Sequence, residues 1–406
     1  MLHTRRRLSV NLMHSLGAYG SMIHGYSLGA YGSMIADRVR TEAYARALRK
    51  TVRDGCVVAE IGTGPGIFAV LACQLGAGRV YAVEPSEIIQ MAREVAAANG
   101  CIDKIVFFEE FSDRVTLPTR VDIILSDLHG VLPLYERHIP SIVDARRRFL
   151  SPEGILIPRK DTLWAAIVEA PKDYGNLVGA WDGNVLGQDL GPARKLIVND
   201  TQKIRVDPDQ LMTIPQLWAT LEYDSIENPD VQSNLSWRVE RAGTGHGIVV
   251  WFDAELVEGI GFSNAPSAPE TVYGSLFLPW TSPVSLVPDQ TVSVDLEAKL
   301  LSSHYLWRWT TRIEPLERLG APFIHFDQSE FAGAVLSTAQ LRRKAADYVP
   351  YLSEDGCLRR RTLELMDGRT SLAEIAHRLA SEFPERFPRW ERALSYAAEI
   401  SGECSR

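Results

Sequence analysis

The chain has 406 residues, 46% hydrophobic and 23% charged, which excludes collagen-like, disordered and single-span membrane classes and predicts two or three domains. Acidic residues outnumber basic ones by 51 to 43, for a formal charge of -8, so neither nucleic acid nor a membrane is expected as a partner. Five scattered cysteines with no CxxC pair argue against a disulfide framework and a cysteine-based zinc site, and predict a cytoplasmic setting and no metal.

The Arg cluster at the start precedes an apolar run that Gly, Ser and His interrupt too early for a secretory core or a membrane span. Residues Ser15 to Ile23 read SLGAYGSMI, and the same nine residues recur from Ser27 to Ile35. A twelve-residue shift is too short for a solenoid unit, so a local duplication is the reading. Only the second copy runs directly into the helical pattern from Ala36 to Leu48, so that copy is expected to be the working one.

Cys56–Ile61 is a short apolar run that predicts a buried parallel strand, followed by Gly62-Thr63-Gly64-Pro65-Gly66 and a helical stretch to Leu75. Glycines serve where the backbone turns tightly and a ligand approaches it closely, and the helix start behind them offers free amide groups. A second strand, Arg79–Val83, ends at Glu84, about where an acid meets the ribose hydroxyls of a nucleoside. A third, Val121–Ser126, opens into a loop with Asp127 and Glu136, nine residues apart. Two acids on one loop can orient a guanidinium or ammonium group. They can equally cap a turn and sit on a solvated helix face. His129 between them reads as a base or as a satisfied loop histidine.

Downstream, Thr162–Ala170, Ser293–Ala298 and Tyr305–Thr310 alternate apolar and polar residues, predicting antiparallel strands. Trp307 and Trp309 share a face there, either packed against a neighbouring strand or lining an acceptor cavity. After about residue 338 the chain turns to charged helical segments, with the turn Asp367–Thr370 and a helix from Ser371 to Phe383 carrying the capping-box pair Ser371 and Glu374.

Glu60, Gly62, Gly64, Gly66 and Glu84 match the first motif and ribose acid of class I S-adenosylmethionine-dependent methyltransferases; nicotinamide-dependent oxidoreductases, which also use an acid after the second strand, are the nearest rival until the next segment separates them. The acid loop, with Ser126, Gly130, Tyr135 and Glu136, resembles the double-acid loop of the protein arginine methyltransferases, although Asp127 replaces a Glu, Leu128 a Trp and His129 a Met. The resemblance runs from about Tyr26 to Arg312. It implies an α/β fold: a helical cofactor cap over residues 1–50, a Rossmann-like domain over 51–157, and an antiparallel β-barrel over 158–335 with a dimerisation arm near 172–200. It also implies S-adenosylmethionine as cofactor, with Arg40 on its carboxylate and Ser112 and Asp113 near its adenine, and a homodimer. Glu136 and Asp127 would then orient the acceptor. The small helical module over 336–406 resembles PqqD-type winged helices that hold leader peptides, the alternative being a helical cap that merely packs on the barrel.

One departure weighs on the acceptor. The family's Thr-His-Trp loop falls on Thr271-Val272-Tyr273, so its acid–histidine relay is lost. The shorter Asp127 also withdraws its oxygens by roughly 1.5 Å. The expected function is therefore N-methylation of an arginine-like or amine group on a small molecule or peptide. The alternatives are O-methylation of a small-molecule natural product, or a catalytically weak peptide-binding scaffold.

Overall fold

The computed structural model describes residues 26–315 and 323–405, in two compact units, one ending at Ala334 and the other beginning at Val335. The start of the chain and the first copy of the repeat lie outside the described residues; Ser27 opens the second copy. In the first unit, Ser27 caps helix α1 (Leu28–Ala36) and Asp37 caps helix α2 (Arg38–Thr51), each accepting a free N–H of the first turn. Helix α2 buries Arg40, Ala43, Tyr44, Ala47 and Leu48, one stripe at helical spacing.

Five parallel strands follow: β1 (Val57–Ile61), β2 (Arg79–Val83), β3 (Ile105–Phe108), β4 (Val121–Ser126) and β5 (Leu150–Ile157), in the order β3-β2-β1-β4-β5. Their apolar runs are buried because helices cover the sheet, among them α3 (Ile67–Gln74), α4 (Ile89–Ala98) and α5 (His138–Arg148). Strand order reverses between β1 and β4, where Ile61 pairs with Ser126. The loops leaving those two strands part in opposite directions, and the crevice between them is where such sheets bind ligands. The glycine loop and the acid loop are those two loops.

Strand β6 (Lys160–Val168) begins a barrel-like pair of antiparallel sheets, one of six strands and one of four. Trp309 is fully buried with its Nε1 donating to the Pro279 carbonyl at 3.0 Å, and the Trp307 ring lies 5.5 Å from that of Trp218. Both therefore pack the barrel core. Between the strands, helices Pro171–Val178 and Gly191–Ile197 flank a small hairpin with Leu186 at its tip, 94% exposed. The second unit is helical, with a core of Leu358, Leu365, Ile375, Leu379 and Phe387. Ser371 and Glu374 form the reciprocal cap. Its described residues contain no strand, so the wing of a winged helix is lacking; that resemblance rested on one turn and one helix, which carry no information about a hairpin. Among the described residues no helix is long and apolar enough to cross a membrane, and all five thiols are free.

Candidate active site

The glycine loop is shaped by left-handed backbone at Gly62, Gly64 and Gly66, with φ of 76°, 50° and 81°, a region costly for residues with a Cβ. A Cβ on Gly64 would lie 2.9 Å from the ring of Tyr31, and one on Gly62 would strike the Leu128 side chain. Tyr31, from the second repeat copy, thus roofs the loop. Burial and the neighbouring Glu84 carboxylate push its hydroxyl up to about 12. Glu84 accepts from the Gly64 N–H at 3.1 Å on one oxygen, and from the Ser86 N–H and hydroxyl on the other. A carboxylate has about four acceptor positions, so one on the Gly64 side remains for a ligand hydroxyl. Glu60 lies beneath the loop, bonded by the Thr63 hydroxyl, and burial pushes it up to about 8.

Across the crevice, Asp127 is saturated. Arg40 Nε and Nη2 both meet its Oδ2; the Tyr273 hydroxyl and His129 Nδ1 meet Oδ1 at 2.9 and 3.0 Å. Arg40 also donates to the Met34 carbonyl at 3.1 Å. Together these donors hold the Asp127 carboxyl far below its usual range against the effect of burial, led by the Arg40 charge and then by the His129 bond. The other His129 nitrogen, Nε2, faces Asp161 Oδ2 at 2.7 Å. Asp161 is fully buried on β6, accepts from the Tyr223 hydroxyl, and Tyr223 accepts from His138 Nε2 at 3.0 Å. Both His129 nitrogens face carboxylate oxygens, the arrangement that suits the imidazolium when both carboxylates are ionised. Burial alone would lower its pKa, but the two carboxylates push it up to about 9. With both ring nitrogens bonded to carboxylates, the geometry favours the satisfied loop histidine over the base role. His129, His138 and Asp161 bring potential ligand atoms within 4.8 Å of one another, with both His129 nitrogens already bonded to carboxylates.

Glu136 differs. It is half-buried with φ of 41°, an uncommon conformation for a residue with a long side chain. No cation pairs with its carboxylate among the described residues, and the hydroxyl it meets is that of Tyr135. It neighbours Tyr135 and Tyr26, whose hydroxyls burial and that carboxylate push upward. Tyr26 in turn lies edge-on to Tyr31 at 5.8 Å, so Glu136 opens onto the same crevice as the glycine loop. Asp113 sits on the surface, 3.3 Å from Arg137, while the adjacent Ser112 is buried and its carbonyl is held by Arg148 at 2.6 Å. The Val272 N–H donates to Asp37 Oδ2 at 2.7 Å, so the capping carboxylate of α2 ties that helix to the barrel loop.

Sequence reasoning missed Asp161, Tyr223 and His138. A signal existed: each loop acid is followed two residues later by a histidine, Asp127 by His129 and Glu136 by His138, and Asp161 is a lone acid entering an apolar strand.

Comparison with known proteins follows this division. Residues 159–300 match the arginine methyltransferase oligomerization subdomain and residues 40–166 the ribosomal protein L11 methyltransferase model. A probable protein arginine N-methyltransferase 6 from Arabidopsis thaliana is 31% identical over 59% of this chain and 57% of its own length. Protein arginine N-methyltransferase 1 from Dictyostelium discoideum is 30% identical over 58% of this chain and 72% of its own. The chain belongs to the protein arginine methyltransferase family. The fold agrees: the Trypanosoma brucei PRMT1 enzyme-prozyme complex with AdoHcy superposes at a TM-score of 0.69, with 20% identity, over 75% of this chain and 98% of that one. S-adenosylmethionine is that family's methyl donor, and the residues here suit it. The left-handed glycine loop leaves room only for backbone, Glu84 keeps a free acceptor position, and Arg40 keeps guanidinium protons beyond those bonded to Asp127, Tyr273 and Met34.

Proposed function

We propose that the chain methylates a guanidinium nitrogen of arginine in a peptide or protein. The observation that carries this reading is Glu136: a strained carboxylate, without a cation partner among the described residues, facing the crevice that the glycine loop closes. Gly62, Gly64 and Glu84 would hold the nucleoside half of S-adenosylmethionine, with Arg40 on its carboxylate and Ser112 and Asp113 on the adenine side. Bound there, the cofactor supplies an activated methyl group. Little else is demanded of the protein than alignment and exclusion of water, and Tyr31 and Tyr26 close the crevice from above. Glu136 accepts guanidinium hydrogen bonds, turns one nitrogen toward the crevice and compensates the positive charge there.

The exposed hairpin with Leu186 at its tip, inside the region matched by the oligomerization subdomain, supports a homodimer. A cytoplasmic location agrees with the free thiols. Glu136→Gln is the test: it should abolish transfer to arginine peptides while calorimetry shows the same affinity for S-adenosylhomocysteine. Full activity in that variant would defeat the assignment.

A further inference from the structure

Beneath the acceptor acid lies a buried row of charged and polar side chains that alignment of a methyl acceptor does not itself require. It runs from Asp127 through His129 to Asp161, and on through Tyr223 to His138. His129 is wedged within it. Its ring stacks on Phe252 at 5.1 Å with a 6° interplanar angle, and His138 lies 4.9 Å away. The groups facing it are Asp127 from the acid loop, Asp161 from β6, His138 from α5 and Tyr273 from the barrel loop, with Arg40 and Tyr44 from α2 behind Asp127.

Two carboxylates and two cations, Asp127 and Asp161 with Arg40 and His129, balance in charge inside this row. Removing either carboxylate leaves a buried cation without its counterpart, which costs far more than the pair contributes. All the acceptor positions of Asp127 are filled, so it cannot also grip a guanidinium while the row is intact.

We infer that Asp161 is a positioning residue for the acceptor site: through the His129 imidazolium it fixes Asp127 as a charge-compensated wall, so that Glu136 is the carboxylate left to meet the acceptor. Asp161 touches neither acceptor nor cofactor; its effect passes through one ring. The inference rests on the methyl-transfer reading only for what the wall is used for, since the row itself can be observed without turnover.

The test uses the full chain labelled with ¹³C at histidine Cε1, with the His129 signal assigned by its loss in His129→Gln. In the wild type that signal should keep its protonated position through neutral pH and titrate near 9. In Asp161→Asn, which keeps the shape but not the charge, the midpoint should fall below 8. The acceptor KM should then rise on the order of tenfold, with affinity for S-adenosylhomocysteine unchanged. Tyr223→Phe leaves both carboxylates on the ring, so its His129 signal should stay protonated at neutral pH. A wild-type His129 that titrates below 7 overturns the inference even if Asp161→Asn does not fold. An Asp161→Asn protein with unshifted His129 titration overturns it as well, as does one that loses KM, kcat and cofactor affinity in equal measure. Absence of methyl transfer from the wild type would sink the proposed function, while the titration still decides on the row.

Discussion

Raising the pH should loosen the first unit through His129. Its ordinary value of 6.5 is pushed up to about 9 in the folded protein, so the folded state binds this proton more tightly than the unfolded one. The resulting stability is fully present below pH 6.5 and is lost as the pH climbs through about 9. At 1.4 kcal/mol per pKa unit, the gap corresponds to about 3 kcal/mol, and full burial of the ring removes any discount for solvent screening. Glu60, also raised, adds a loss of the same sign over a lower range, from 4.5 through about 8. Comparison with His129→Gln isolates the histidine, because Glu60 is common to both proteins. Urea unfolding followed by tryptophan fluorescence at about pH 6 and about pH 9.5 should show the advantage of the wild type over the variant shrinking by about 3 kcal/mol. An advantage that stays constant across that range would refute the imidazolium assignment, and the charge balance of the buried row with it.

Three further outcomes follow from particular contacts. Gly64→Ala puts a Cβ at φ of 50° and 2.9 Å from Tyr31; lifting that ring should weaken S-adenosylhomocysteine binding by about tenfold or more in calorimetry, at a backbone cost of about 1–2 kcal/mol. Trp309→Ala removes a fully buried indole and its bond to the Pro279 carbonyl, and should destabilise the barrel by about 3–5 kcal/mol in denaturant titration. Ser371→Ala deletes half of a reciprocal cap in the second unit, and should lower that unit's stability by about 1 kcal/mol, read by amide exchange in Leu372–Glu382, without altering cofactor binding.

The glycine-loop half of the crevice was legible because its conformation is written in backbone. Three glycines after a buried strand leave few conformations, and Glu84 follows the second strand at a spacing that the parallel sheet fixes. The acceptor half was legible only in outline. That Asp127 and Glu136 share a loop could be read; that one is saturated and the other has no cation partner among the described residues could not, because the difference lies in Arg40, Tyr273 and His129 approaching from α2, the barrel loop and the acid loop. Asp161 is 32 residues from His129, and Tyr223 is 62 from Asp161, so no local pattern announces that they meet. Trp307 and Trp309 illustrate the same limit: their shared face was evident in the alternation, but whether that face met a cavity or a core depended on the strands opposite.

The most direct measurement follows a labelled methyl group from S-adenosylmethionine into arginine, lysine and hydroxyl-bearing peptides, with fragmentation mass spectrometry locating the modified atom. The label should appear on a guanidinium nitrogen in the wild type and vanish in Glu136→Gln. A label on a carboxyl, hydroxyl or lysine side chain, with none on arginine, would contradict arginine as the acceptor.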